Sequence, residues 1–537
     1  MDIYLRPADV AVLCGGILAS LVVGVVYAVK ESRHESSSFR YHRGGGKLHP
    51  FSVAVSLVVT FESSIFYLGY PSEIYMYGSY YMMQILGLIV GYLMMFFITI
   101  PLFYPLQITS VYEYLQMRHE SQRVRQMSMW LGNVGNLLYA GIVTFGAATG
   151  MEGVTGVSAW IYVVVLTSIA VVYTSLGGIK AVVVTDVVQG VIMIGMIFAV
   201  LIYGCIRVGG VSTVIGINRP TGRLQIFDFD PNPYKRHTFW TLAIGYGFMC
   251  AGNSLSAPLV QRLNATRSIG DAKKVAAISI PAFVILHILI MFEGLVAYAY
   301  FSQKGCDPIA SKQISNPNQI IPYLVADLFA GVPGITGLYL SALCSASLST
   351  ISSLLSSISA VTSEDFIRQR LKDASEKKLT QLSKLIVVLA GVVCIGLIAG
   401  YLMMFFITIP LFYPLQITSV YEYLQMRHES KRVRQMSMWL VIEINRPTGR
   451  LQIFDCDPNP YKRHTFWTIA IGNGWMCAGI IFSPPLVQSL NSVRSIGDAR
   501  KVAAMSIPAF VILQILIMCE GLGAYAYFSL KGCDPIA

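Results

Sequence analysis

The sequence predicts an all-α membrane protein that crosses the bilayer many times. Of its 537 residues, 55% are hydrophobic and only 12% are charged, and that charged fraction is about half of what soluble domains carry. Several apolar runs reach the roughly 20 residues that a helix needs to cross a bilayer. No soluble core could hold so many apolar side chains, so lipid must cover much of the surface.

About ten apolar runs before residue 403 have the length and composition of membrane-spanning helices. The first follows only one basic residue, Arg6, and has no convincing cleavage site of small residues. We interpret it as a retained span and not as a signal peptide. The predicted spans are residues 10–29, 52–69, 80–100, 127–148, 159–175, 187–206, 239–260, 275–301, 334–361 and 382–402.

Basic residues fall in short connectors between alternate spans and form no continuous stripe. The net charge of +11 therefore does not indicate a nucleic-acid partner. The positive-inside rule places these connectors in the cytoplasm and the amino terminus outside, which predicts a multi-pass protein of the plasma membrane. The connector residues are Lys30, Arg33, Arg40, Arg43, Lys47, Arg118, Arg123, Arg125, Arg262, Arg267, Lys273, Lys274, Arg368, Arg370, Lys372, Lys377 and Lys378.

The carboxyl-terminal part of the chain repeats two earlier segments. Residues 400–440 match residues 91–131 with one change, Gln122 against Lys431, and residues 441–537 match residues 214–310 at roughly four positions in five. Such near-identity indicates a recent duplication of coding sequence, because structural repeats keep their pattern while their residues drift. We expect one transmembrane domain over residues 1–402, followed by the two copies.

The junction between the first copy and the original is physically awkward. The apolar run 385–416 has about 32 residues, long for one span and short for two. If this run is one span, the first copied segment lies outside although its original lies inside, whereas the second copied segment keeps the outside position of its original. The two copies cannot both keep the sides of their originals. We interpret the tail after about Gly400 as a second, incomplete paralogue joined to the first. A rearranged gene and a fused gene model would both produce this pattern.

Polar and helix-breaking residues interrupt the second span at Glu62, Ser63, Ser64, Gly69 and Pro71. An interrupted helix leaves backbone carbonyls without partners, and in transporters a bound cation commonly satisfies them near the bilayer midplane. A plain kink without any ligand would leave the same pattern in the sequence.

The ninth span is rich in hydroxyl side chains at helical spacing. Small hydroxyl residues allow helices to pack closely, and this explains most of them. Sodium is a hard cation that prefers oxygen ligands, so Ser349 and Thr350 facing the carbonyls of a broken helix would form a plausible neutral site. The hydroxyl series comprises Ser345, Ser349, Ser352, Ser353, Ser356 and Ser357.

Asp186 lies at the predicted cytoplasmic edge of the sixth span. A buried acidic residue in a membrane is a functional candidate by default, but pairing with Lys180 or simple exposure would also explain it. The sequence contains no nucleophile with a placed base, no HExxH, no phosphate loop and no CxxC pair, so we predict no enzymatic activity.

Seven motifs between Ser52 and about Leu402 resemble the sodium/solute symporter family, and within it the monocarboxylate, multivitamin and iodide branch. They are SLVVTFESSIFYLGYPSEIY, ITSVYEYLQMRH, YTSLGGIKAVVVTDVVQ, FDFDPNPYKRHTFWT, LVQRLNATRS, GCDP and SLSTISSLLSSISAVTSEDFI. The resemblance implies two inverted five-helix repeats around a substrate site at the midplane. The second repeat looks incomplete, because a copied early helix follows Gly400 where the tenth core helix belongs.

The resemblance also implies the roles of particular residues. Sodium would be co-transported and would lie between the broken first core helix and the eighth, and Asp186 would take part in cation coupling. Glu62 departs from the aliphatic residue or methionine that family members commonly carry there. The sodium ligands implied are the hydroxyls of Ser349 and Thr350 and the carbonyls of Ala346, Val59 and Glu62.

The branch implies a small organic anion, such as a monocarboxylate or a vitamin-like acid, as the transported solute. Sugar is disfavoured because the polar set that sugar carriers have in their first core helix is missing. The alternative is an inactive or regulatory paralogue, truncated or fused, without transport activity. The residues expected to line the solute pocket are Thr60, Ser63, Phe66, Tyr67, Tyr246 and Asn253.

Overall fold

Helices make up all the regular secondary structure of the described residues, as predicted, apart from one isolated backbone bridge between Leu48 and Thr266. The computed structural model describes residues 5–32, 38–108, 110–232, 235–314, 316–371 and 373–403. All of them belong to one unit, Met1–Phe405. The first copy begins at Gly400, so its first four residues end α17; the rest of the duplicated sequence, including the second join near Leu440, lies outside the described residues.

The helices follow one another through short connectors, and several spans consist of more than one segment. Short 3-10 or π turns join some of the pieces, at Ser79–Met83, Met95–Thr99, Trp240–Gly245 and Ser363–Ile367. The helices are α1 (Pro7–Ser32), α2 (Ser38–Arg43), α3 (Pro50–Phe61), α4 (Ser64–Tyr77), α5 (Gln84–Met94), α6 (Ile100–Phe103), α7 (Val111–His119), α8 (Gln122–Thr155), α9 (Ala159–Val208), α10 (Val211–Asn218), α11 (Tyr246–Ser254), α12 (Ala257–Leu263), α13 (Ile269–Lys304), α14 (Ile320–Leu328), α15 (Ile335–Thr362), α16 (Arg368–Arg370) and α17 (Glu376–Met403).

Seven helices of the described part are long and apolar enough to cross a membrane, and the bent pair α3 and α4 raises the number to eight. The sequence predicted about ten spans. Two of those, 159–175 and 187–206, fall in the single 50-residue helix α9. A third, 239–260, is divided among a π turn, α11 and α12, and each piece is too short to count by itself.

Gly178 divides α9 into two lengths. A straight helix of 50 residues would extend ~75 Å, more than twice the thickness of the hydrocarbon core. Gly178 has φ 58° and ψ −155°, a conformation that is essentially restricted to glycine. A Cβ at this position would also lie 2.4 Å from the carbonyl oxygen of Tyr41. The break therefore lets one element supply two spans.

We expect the Gly178→Ala variant to lose about 1–3 kcal/mol of stability, because alanine cannot adopt this backbone conformation without strain. The measurement is the midpoint of thermal unfolding of the purified chain in detergent. Gly195→Ala is the matched control, since it lies in the same helix with open space around it. Equal midpoints for the two variants would contradict this account of the break.

Helix α15 forms the centre of the described unit. All of its residues except Ile335 and Leu338 are buried, and it packs against α1, α3, α8, α9 and α17. Small residues bring the neighbours close: Gly16 of α1 lies against Ser341, and Gly150 of α8 lies against Leu343. The hydroxyl-rich sequence of the ninth predicted span is thus the core of the fold.

Three basic residues that the sequence assigned to cytoplasmic connectors are buried. Arg43 donates to the carbonyl of Ile108 at 3.3 Å, and Arg125 forms an ion pair of 2.6 Å with Asp365. Arg262 is fully buried in α12. The sequence placed all three in connectors but gave no sign of their burial, which is tolerable because each has a hydrogen-bonding partner elsewhere in the chain.

Candidate functional site

The second predicted span is broken between α3 and α4, and the two helices meet at an angle of 58°. Glu62 has φ −93° and ψ 77°, and Ser63 is extended at φ −78° and ψ −179°. The last helical bond of α3 joins the amide of Glu62 to the carbonyl of Val58 at 3.0 Å. The amide of Ile65 turns instead to the side chain of Ser63. The carbonyls of the last turn of α3 are therefore released from the helix.

Helix α15 presents oxygen atoms to this break. The hydroxyl of Thr350 lies 2.8 Å from the carbonyl oxygen of Thr60 and 3.1 Å from that of Ala346. The Ser349 hydroxyl lies 3.5 Å from the Thr60 hydroxyl. A hydroxyl has one hydrogen and two lone pairs. Thr350 can therefore donate its hydrogen to these carbonyl oxygens and still offer a lone pair to a cation. Uncharged oxygens of Thr60, Ala346, Ser349 and Thr350 thus lie close together at the break.

The other residues predicted at the break are buried beside it. The side chain of Val59 packs against Gly190 of α9, so that only its carbonyl can contribute a ligand. The Ser63 hydroxyl accepts from the amide of Ile65 at 3.3 Å and lies 3.4 Å from the hydroxyl of Tyr139. Ser63 therefore caps the amino-terminal end of α4.

Asp186 is fully buried in α9 and forms an ion pair with Arg262 of α12, at 3.2 Å. The same carboxylate oxygen, Oδ2, accepts from Ser56 at 2.5 Å and lies 3.4 Å from the Thr60 hydroxyl. Its other oxygen, Oδ1, has no hydrogen-bond partner within the described part of the chain. Exposure, one of the explanations considered for Asp186, is excluded.

Arg262 connects its ion pair with Asp186 to the hydroxyl groups near the break between α3 and α4. Its Nε donates to Ser56 at 3.0 Å, and its Nη2 donates to Thr60 at 2.7 Å and also to Ser353. Thr60 is thus connected to Asp186, to Arg262 and, through its carbonyl, to Thr350. The charged pair and the oxygen cluster at the break form one continuous polar network in an apolar surrounding.

The side chain of Glu62, one of the two residues at the break, belongs to a second buried polar pair. The Glu62 carboxylate lies 3.2 Å from Nδ1 of His287 on α13, and the same nitrogen lies 2.9 Å from the carbonyl of Phe283. Two acceptors at Nδ1 indicate that this nitrogen carries a hydrogen. The sequence did not signal His287, because a single polar residue in an apolar helix forms no pattern.

Aromatic rings surround this pair. The His287 ring centre lies 5.0 Å from that of Phe66 and 5.2 Å from that of Tyr70. The Tyr70 hydroxyl lies 2.8 Å from the hydroxyl of Tyr246. Two residues predicted for the solute pocket, Phe66 and Tyr246, are thus connected through Tyr70, which the sequence analysis did not select.

The two remaining predicted pocket residues differ in their placement. Tyr67 is buried, with its hydroxyl 3.4 Å from the carbonyl of Met193 and its ring 5.4 Å from that of Tyr339. Asn253 is only half-buried near the end of α11, and over the described ranges no hydrogen bond joins its side chain to the other predicted pocket residues. Its place in the solute pocket stays a prediction.

Comparison with known proteins identifies the relatives of this arrangement. The model of the sodium:solute symporter family matches residues 41–408, more than half of the chain. The chain belongs to the sodium:solute symporter family. This symporter-family chain is 35% identical over 391 residues to the sodium-coupled monocarboxylate transporter 2 of Mus musculus, covering 72% of the chain and 62% of the relative. It is 33% identical over 392 residues to the human sodium/iodide cotransporter, covering 73% and 60%.

A solved structure confirms the fold of this symporter-family chain. The outward-open, substrate-bound structure of a sodium-coupled sialic acid symporter matches 74% of this chain and 83% of that one, with a TM-score of 0.66 and 26% identity. The predicted inverted-repeat fold is therefore confirmed. The chain spans about three fifths of the length of the curated transporters that it matches, and the completeness of the second repeat concerns sequence outside the described residues.

Proposed function

We propose that this chain imports a small organic anion together with sodium across the plasma membrane, by alternating access. The observation that carries the proposal is the break at Glu62 and Ser63, which lies directly opposite Thr350. A carbonyl end of one half-helix and an amide end of the next meet there, in the interior of an apolar helical unit. Transporters of this architecture bind their ion and solute at such breaks.

The two half-helices favour ligands of opposite charge. The carboxyl-terminal end of α3 carries partial negative charge and released carbonyls, which suits sodium. The amino-terminal end of α4 carries partial positive charge and amide donors, which suits a carboxylate. Sodium would lie among the oxygens of Thr60, Ala346, Ser349 and Thr350, with the carbonyls of Val59 and Glu62 as further ligands from the break. The solute carboxylate would lie near Ser63 and Phe66, in the direction of Tyr246.

The pair of Asp186 and Arg262 would link sodium occupancy to a movement of α12. Both groups are fully buried, so neither charge can be left alone in the interior without a large free-energy cost. When α12 moves and carries Arg262 away, a cation near the free oxygen of Asp186 would balance the remaining charge. Sodium would then favour one arrangement of the helices over the other, which is the requirement for coupling.

The monocarboxylate transporters among the relatives make a short monocarboxylate the first solute to test. Each net positive charge carried inward adds roughly 2.3 kcal/mol per 100 mV of membrane potential to the free energy that drives uptake. With the amino terminus outside, as the sequence predicts, the break would open alternately to the outside and to the cytoplasm.

The test is uptake of a labelled short monocarboxylate into vesicles that contain the purified full chain. An inward sodium gradient is compared with an equal potassium gradient, and unlabelled iodide and glucose are added as competitors. We expect uptake that requires sodium, saturates with the monocarboxylate and is insensitive to glucose. Labelled iodide and labelled glucose are tested in parallel vesicles. Sodium-dependent uptake of iodide without uptake of the monocarboxylate would replace the organic anion with iodide as the solute.

Absence of sodium-dependent uptake for all of these solutes would contradict the proposal. It would favour the alternative, an inactive or regulatory paralogue. Expressing the chain beside a full-length relative tests that alternative directly, because a regulatory paralogue would alter the relative's uptake without adding any of its own.

A further inference from the structure

Glu293 is a buried carboxyl group without a partner. It lies in the middle of α13 and is only 1% exposed. Neither of its carboxylate oxygens has a hydrogen-bond partner among the residues that the structure describes. An acidic side chain in the interior of a membrane protein normally pairs, binds an ion or lines a functional path. Glu293 has no part in the sodium and solute arrangement proposed above.

Two tyrosine side chains lie near Glu293. Tyr67 of α4 and Tyr339 of α15 are near enough to interact with it electrostatically, and the hydroxyl of Tyr339 also lacks a hydrogen-bond partner in the described ranges. The rings of these two tyrosines lie 5.4 Å apart. The environment thus offers polar oxygens to a small ligand but provides no positive charge.

Ionisable groups on the helices packed around α13 are already engaged with one another. His287, on α13 itself, holds Glu62 at the end of α3. Asp186 on α9 is held by Arg262, and Asp327 on α14 is held by Lys304. Among the described residues, no ion pair joins a cation to Glu293. An isolated carboxylate would cost far more free energy in this position than the neutral acid, so binding of a group that removes its charge is strongly favoured.

Close packing next to Glu293 keeps water out in this arrangement. A Cβ added to the neighbouring Gly294 would lie 2.4 Å from the carbonyl oxygen of Pro71 and 2.7 Å from the side chain of Ile74, both on α4. The backbones of α4 and α13 are therefore in direct contact at the level of the carboxyl group. Because Glu293 is only 1% exposed, water can reach its carboxyl group only when the packing of α13 against its neighbours, α4 among them, opens.

We propose that Glu293 is a proton-binding site, occupied while α4 and α13 are in contact. The carboxylate takes one proton from water when the helices are apart, becomes a neutral acid, and returns the proton to water when they part again. Because Tyr67 belongs to the same half-helix as the proposed solute site, movement of α4 would couple proton exchange at Glu293 to the transport cycle.

The test is infrared spectroscopy of the purified full chain in detergent, with and without exchange into heavy water. We expect a carbonyl band of a protonated carboxylic acid that is present in the wild type and in the control Glu152→Gln, and absent from Glu293→Gln. Glu152 is a suitable control because its carboxylate accepts from the amide of Ala159 and lies outside both proposed sites.

Either of two results would overturn the proposal. The first is an unchanged carboxylic-acid band in Glu293→Gln, which would show that Glu293 is ionised in the native chain. The second is failure of Glu293→Gln to fold, since the amide has nearly the shape and the neutrality of the protonated acid. The readout needs no transport activity, so the fate of this proposal is independent of the proposed symport.

Discussion

Replacing Arg262 with glutamine is expected to cost about 3–5 kcal/mol of stability, because it leaves the buried charge of Asp186 without a partner. Both side chains are fully buried and lie 3.2 Å apart. Glutamine keeps some hydrogen bonding to Ser56 and Thr60, so the loss reports mainly the missing charge. The measurement is the yield and the thermal midpoint of the purified variant against the wild type.

The companion variants separate the charge effect from the packing effect. The double variant Asp186→Asn with Arg262→Gln removes both charges, so we expect it to recover most of the stability lost in Arg262→Gln. It should nevertheless fail to couple uptake to sodium if Asp186 has the coupling role. Additive losses in the double variant would contradict the account, since they would mean that the two residues do not compensate each other.

Replacing Thr350 with valine is expected to weaken sodium binding about tenfold or more, a loss of at least ~1.4 kcal/mol. Valine has nearly the shape of threonine but lacks the oxygen that lies between the carbonyls of Thr60 and Ala346. The measurement is the sodium concentration that gives half-maximal uptake of the solute.

Two controls make this expectation specific. Thr350→Ser restores the hydroxyl and should keep sodium affinity close to that of the wild type. Ser347→Ala lies on the same helix, but its hydroxyl faces the carbonyl of Val143 on α8, so its loss should leave sodium affinity unchanged. A similar loss in Ser347→Ala would attribute the effect to the packing of α15 and not to a ligand.

Sequence patterns are sufficient to predict the parts of this fold that depend on composition over many residues. Apolar runs identify the helices, and Glu62 and Ser63 mark the broken span because polar residues are costly there. The interruptions predicted at Gly69 and Pro71 were wrong, since α4 continues through both residues. The hydroxyl spacing around Ser349 and Thr350 leads to the helix that packs against the break. These features are local, so one sequence is enough to reveal them.

The features that the sequence did not reveal depend on contacts between distant helices. Arg262 looks like an ordinary loop cation until α12 packs against α15 and α3, where Arg262 meets Asp186 of α9. His287, Tyr70 and Glu293 are single polar residues in apolar helices, and which helix face they occupy becomes informative only once their neighbours are known. The role of Asn253, which the family resemblance placed in the solute pocket, stays a prediction.

Sodium binding to the purified chain tests the central claim most directly. The thermal midpoint of wild type, Thr350→Val and Thr350→Ser is followed as sodium replaces potassium at constant ionic strength, since a ligand that binds the native state stabilises it. We expect sodium to raise the midpoint of the wild type and of Thr350→Ser, and to have little effect on Thr350→Val. An equal response of all three proteins, or no response of the wild type, would contradict a sodium site at the break between α3 and α4.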